Sequence, residues 1–178
     1  MESMLSVNTL FSGNIAKNNN GGAFCAEKSV TIKSCIFIDN KAMRNNAGAF
    51  SAKGSIICYN SIFSGNYARE GGALHCLSTI ECYNCTFNNN KATVGESLYC
   101  LASVSCYNCT FNNNTAQNSG GAIYNKFNVK CINSTFTDNF ANGDGGAIFV
   151  SSNGDVVCGS NVSFVSNKVL NNSPKKPI

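Results

Sequence analysis

One spacing governs this chain: Phe-x-x-Asn recurs at Phe11/Asn14, Phe37/Asn40, Phe63/Asn66, Phe87/Asn90, Phe111/Asn114, Phe136/Asn139 and Phe164/Asn167. The steps between successive Phe residues are 26, 26, 24, 24, 25 and 28. A unit of that length with several short strands cannot bury its own apolar side, so it must stack on a neighbour. Two residues after each Asn stands a small residue, Ala16, Ala42, Ala68, Ala92, Ala116 and Ala141, with Val169 closing the series. A second motif then follows, Gly-Gly-Ala-aliphatic or aromatic, at 21–24, 71–74, 120–123 and 145–148, with degenerate copies at 47–50 and 95–98. Six coils carry both motifs and a seventh is partial.

The remaining positions fall into columns. Seven before each Phe stand Met4, Val30, Ile56, Ile80, Val104, Val129 and Val157; five before stand Ser6, Ile32, Cys58, Cys82, Cys106, Cys131 and Gly159. Apolar or small residues at alternate positions mark one buried strand face. Small residues also stand two before the Phe: Thr9, Cys35, Ser61, Cys85, Cys109, Ser134 and Val162. The Gly-Gly-Ala segment supplies Phe24, Phe50, Leu74, Leu98, Ile123 and Ile148, followed two residues on by Ala26, Ala52, Cys76, Cys100, Asn125 and Val150. All of these but Asn125 suit an interior. Leucine-rich repeats share the period but require regular Leu spacing, which is absent. The columns predict an all-β chain, a parallel β-helix (solenoid) of about seven coils with 24–28 residues each, in which like stacks on like.

Three residues before each Phe comes Asn8, Ser34, Asn60, Asn84, Asn108, Asn133 or Asn161. Asn tolerates the left-handed backbone region, and its amide can bond the Asn one coil on, so this column is expected to form a partly buried ladder at a bend. The Gly-Gly pairs are expected at another bend. Coil length varies mainly between the small residue and Gly-Gly, which predicts variable loops along one edge. The extra residues of the last coil are assigned to 151–155. One repeat domain over residues 1–170 and a flexible basic tail over 171–178 are expected.

The alternation of Phe-x-x-Asn with Gly-Gly-Ala-Ile resembles the repeats of the polymorphic outer membrane proteins first recognised in chlamydiae. The resemblance covers Asn8 through Val169. It implies a right-handed β-helix displayed at a cell surface or extracellularly, with a role in adhesion. The family's C-terminal barrel and a leading signal segment have no counterpart in these residues, and further coils at both ends are an expectation of the same reading. No apolar run approaches the ~18 residues of a spanning helix.

Most apparent chemistry falls on column positions. Cys82, Cys85, Cys106 and Cys109 match a zinc-site spacing, yet Ile32, Ser61, Cys131 and Ser134 fill the same columns elsewhere, so packing is the expected role. The count of 11 Cys is odd, and stacked Cβ atoms ~4.8 Å apart exceed the ~3.5–4.5 Å of a disulfide. Reduced thiols are expected, with pairs such as Cys82–Cys85 and Cys76–Cys100 left open. The sequons at Asn84, Asn108, Asn133 and Asn161 coincide with the bend column; those at Asn113 and Asn171 are better glycosylation candidates. The 9 acids are scattered, whereas polysaccharide-acting β-helices need clustered carboxylates. His75 stands in an outward column and reads as a surface residue. No enzyme activity, cofactor or metal is expected. A net charge of +4 from singly spread Lys and Arg gives no basic stripe, so nucleic acid is not an expected partner.

Two outward stripes remain as candidate binding residues for a protein or glycan on the outer β face. One holds Tyr59, Tyr83 and Tyr107, and the other holds Tyr99, Tyr124 and Phe149. The expected function is a non-enzymatic adhesion or binding module. The alternatives are a polysaccharide lyase or hydrolase, and a structural spacer or ice-binding solenoid. For ice, the column before each Phe (Leu10, Ile36, Ile62, Thr86, Thr110, Thr135, Ser163) carries only part of the regular Thr face required.

Overall fold

In a computed structural model, which describes residues 4–93 and 97–170, the first six coils carry four short strands each and the last carries three, and the bends between them explain the column pattern. One coil shows the plan with Ile80–Tyr83, Thr86–Asn88, Lys91–Ala92 and Leu98–Cys100. Every strand pairs in parallel with its counterpart one coil away. Cys82 lies opposite Cys58 and Cys106, Phe87 opposite Phe63 and Phe111, and Leu98 opposite Leu74 and Ile123. Among the described residues this gives three seven-stranded sheets and one six-stranded sheet, each running the length of the solenoid.

The core is the set of inward columns. Phe37, Phe63, Phe87, Phe111 and Phe136 are fully buried, beside Ile32, Ile56, Ile80, Leu74, Leu98 and Ile123. The Phe rings from Phe11 to Phe164 form one continuous stack, with centroids 4.7 to 4.9 Å apart. Each buried ring contributes roughly 1.5–3 kcal/mol through burial. Rings of the end coils have a neighbour on one side only among the described residues, and Phe164 is 48% exposed.

Among the described residues, up to three bends in a coil use a left-handed residue. The first is the expected column: Asn8, Ser34, Asn60, Asn84, Asn108, Asn133 and Asn161 all have φ of 48–53° or close to it, up to 54° at Asn84. The second lies two residues after the Phe, at Gly13, Asp39, Gly65, Asn89, Asn113, Asp138 and Ser166, and explains why Asp39 and Asp138 share a column. The third is the first Gly of each pair, with Ala47 in its place in one coil at φ 60°. The second Gly serves close approach instead. A Cβ on Gly72 would stand 2.7 Å from the Lys91 carbonyl oxygen of the next coil.

The buried asparagine ladder is a different column from the expected one. The first-bend Asn side chains are exposed, although Asn108 Nδ2 still donates to Asn84 Oδ1 at 3.0 Å. The ladder inside the solenoid is built by the Asn of Phe-x-x-Asn, where Asn40, Asn66, Asn90, Asn114 and Asn139 are fully buried. Asn66 Nδ2 donates to the Phe37 carbonyl and to Asn90 Oδ1, each at 3.0 Å, while its Oδ1 accepts from the backbone and side chain of Asn40 at 3.1 and 3.0 Å. This repeat satisfies every polar atom of the amide, as burial requires. The physical reason for the swap is position: the first bend points its side chain outward, and the residue three after the inward Phe points back under the turn.

The last coil also departs from the sequence register. Val129 pairs with Val156 and Cys131 with Cys158, not with Val157 and Gly159. Asn133 N donates to Ser160 O as Asn108 N donates to Ile132 O, so Gly159 is an additional residue between Cys158 and the bend. The lengthening is therefore split between 151–155 and a bulge at Gly159. Asn125, the one unsuitable interior residue by sequence, is fully buried. Its Nδ2 donates to the Ala102 and Asn128 carbonyls at 3.0 and 2.8 Å. The Cys100 thiol above it donates to Ser78 O and Ser103 O in the same way. An amide thus takes over the donor role of a thiol, while its Oδ1 is buried without a hydrogen-bond partner among the described residues. The basic tail and the Asn171 sequon lie outside the described residues.

Candidate functional site

The eleven cysteines are free thiols, nine of them buried and Cys25 and Cys158 exposed. In the column two before the Phe they act as donors to a carbonyl two residues back: Cys85 to Tyr83 O and Cys109 to Tyr107 O, each at 3.4 Å. Ser61 and Ser134 make the same bond at 2.7 and 2.9 Å. That equivalence explains why Cys and Ser interchange there. Burial pushes the Cys58 thiol above its ordinary value, as expected for a neutral interior group. Among the described residues no group of three or more His, Cys, Asp and Glu side chains could hold a metal.

The first outward stripe is a self-contained stack. Tyr83 lies between Tyr59 at 5.0 Å and Tyr107 at 4.9 Å, with rings within 12° of parallel. Lys33 Nζ stands 5.6 Å from the Tyr59 ring centroid and Lys130 Nζ 5.8 Å from that of Tyr107, so an ammonium covers each end. The Glu81 carboxylate accepts the Tyr83 hydroxyl proton at 2.9 Å and pushes that phenol up to about 12.

The second stripe begins with a correction. His75 does lie in the outward column, paired with Ser51 and Tyr99, but it is only 5% exposed. The loop before Gly-Gly folds back over it. Asn46 Nδ2 lies 3.0 Å from His75 Nε2, and Glu70 Oε2 lies 3.8 Å away. Burial lowers the His75 pKa to about 4, and its Nδ1 has no hydrogen-bond partner among the described residues. The His75 ring stacks on Tyr99 at 5.0 Å, and Tyr99 stacks on Tyr124 at 5.2 Å. At Phe149 the stack breaks, with the ring tilted by 42° from Tyr124 at 5.4 Å.

Here the stripe meets the variable loops. Tyr99, Tyr124 and Phe149 form one side of a trough of about 590 Å³. Gln117–Ser119 and Asn142–Gly143 form the other, with Glu70 and Leu170 also lining it. Sequence reading identified the aromatics and the loop edge separately. Their convergence was missed because column numbering does not show how far a loop leans over the adjacent strand. The loop lengths carried a signal, since the four-residue stretch ending at Asn46 is the one that closes over His75.

Four stretches, residues 8–27, 60–77, 108–126 and 133–151, match the family model of the Chlamydia polymorphic membrane protein repeat. A search of curated proteins and one of solved structures each gave no match. Each matched stretch contains one Phe-x-x-Asn and one Gly-Gly-Ala segment of a single coil, and the intervening coils keep the same register. Four of the coils thus carry the Chlamydia polymorphic membrane protein repeat.

Proposed function

We propose that this chain is a non-enzymatic module displayed at a cell surface, holding another macromolecule along the trough beside Tyr99, Tyr124 and Phe149. The observation that carries the reading is the meeting of an outward aromatic column with the only edge where coil length varies repeatedly. A rigid scaffold presenting variable loops is how binding surfaces are commonly built. Membership of the repeats in a family of surface membrane proteins supports the location. A hydrolytic role would need paired carboxylates across a bound chain, and Glu70 is the sole acid among the described lining residues.

The test is adhesion of the purified chain to a panel of cultured cells and matrix preparations. Replacing Tyr124 and Phe149 together by Ala is expected to weaken adhesion on the order of tenfold, with the far-UV β signal unchanged. Replacing Tyr59, Tyr83 and Tyr107 by Ser is expected to leave it within about twofold, because those ring faces are already occupied. No adhesion by the parent chain, or equal adhesion by the trough variant, counts against the reading.

A further inference from the structure

We infer that the trough takes an uncharged, hydroxyl-rich carbohydrate chain; the inference rests on the binding role proposed above and names its ligand class. Ring faces give the first argument. In the Tyr59–Tyr83–Tyr107 stack every face meets a neighbouring ring or a lysine ammonium. In the trough column the parallel packing ends at Tyr124, and Phe149 is turned 42° out of it. Phe149 is half-buried and lines the trough. The negative face of an aromatic ring attracts polarised C–H groups, and the axial C–H face of a pyranose presents a patch of them.

The opposite wall supplies the second argument. Gln117 and Asn142 carry primary amides and Ser119 a hydroxyl. Each of these groups donates and accepts, as sugar hydroxyls do. No Lys or Arg lies among the described lining residues, and Glu70 adds one negative charge. Sulfated, sialylated or phosphate-bearing ligands would meet repulsion there, despite the net positive charge of the chain.

Backbone pairing separates a glycan from a peptide. Peptides held along a sheet usually add a strand to a free edge. The loop main chain here is already paired between coils: Gln117 N to Ala92 O, Asn142 N to Ala116 O and Gly120 N to Asp144 O, at 2.9 to 3.2 Å. Recognition must run through side chains and ring faces, which suits a polyhydroxylated chain.

A printed array of neutral, sialylated and sulfated oligosaccharides tests the assignment. The parent chain is expected to bind neutral hexose or N-acetylhexosamine spots. Phe149→Ala, and separately Gln117→Ala with Asn142→Ala, should each lower that signal on the order of tenfold while the far-UV spectrum stays the same. Binding confined to charged spots overturns the proposal, as does neutral binding that both variants retain. Should the array stay blank while cell adhesion still depends on Tyr124 and Phe149, the carbohydrate assignment falls and the surface-module reading stands. If adhesion is absent as well, both fall.

Discussion

At the scale of single residues, what distinguishes this interior is how its polar atoms are satisfied. Thiols and hydroxyls exchange in the column two before the Phe, and a thiol and an amide exchange between Cys100 and Asn125, because in each column both groups reach equivalent carbonyls. Cys85→Ser is expected to change stability by less than about 1 kcal/mol, since Ser61 and Ser134 already make that bond. Cys82→Ser, in a column whose fully buried members are Ile32 and cysteines, buries a hydroxyl without such a carbonyl and should cost about 1–3 kcal/mol. Urea denaturation of both variants distinguishes the two sites.

His75 gives a second residue-scale prediction. Its folded-state pKa of about 4 lies below the ordinary 6.5, so between those values the unfolded chain binds more protons than the folded one. Stability is therefore complete above pH 6.5 and falls as pH drops towards 4, by up to about 3 kcal/mol. His75→Gln should remove that part of the pH dependence, leaving only the carboxylate contribution common to both proteins. Glu70 lies 3.8 Å from Nε2; a His75→Gln curve that parallels the parent would show that burial does not control the titration.

At the scale of elements, the bends decide how closely coils can stack. The second Gly of each pair sits against the backbone of the next coil. Gly72→Ala would place a Cβ 2.7 to 2.9 Å from Lys91 main-chain atoms and is expected to destabilise by about 3 kcal/mol or more. Gly13 stands at the second bend with open space around its Cβ direction and φ +64°. Gly13→Asn should be neutral or slightly stabilising, since Asn89 and Asn113 hold the same conformation three and four coils away. Thermal melts of the two variants compare close approach with backbone freedom directly. The Asn ladder ties the same turns together. Asn90→Ala would remove the acceptor of the Asn66 backbone N–H and of one Asn66 Nδ2 hydrogen, and the side-chain donor to the Phe63 carbonyl and to Asn114 Oδ1. A loss of about 3 kcal/mol or more follows from several buried groups losing partners at once.

For the whole molecule, stacking one coil on the next turns separate columns into continuous surfaces. Two aromatic columns that look alike in sequence become different objects. One is closed by lysines at both ends, and the other opens onto a trough walled by loops. Binding through that trough should vary little with salt, because its one charged lining side chain among the described residues is Glu70. Adhesion measured from low to moderate ionic strength checks this; a steep fall with salt would instead locate binding on the scattered Lys and Arg side chains.

The sequence by itself determined the coil, its period and its inward columns, because in a parallel stack each residue meets its own counterpart one period on. Phe, Ala, the Gly-Gly pair and the thiol columns could be placed by counting alone. Counting failed where the period was locally broken, as at Gly159, whose extra residue shifts Val156 and Cys158 into the columns assigned to Val157 and Gly159. It also failed wherever burial depends on what lies over a position and not on the position itself. His75 and the first-bend asparagines both point outward from the coil, yet one is covered by Asn46 and Glu70 and the others face solvent. Only tertiary structure decided those cases, and with them the trough, because a loop's lean over the next strand depends on packing between coils and has no period to count.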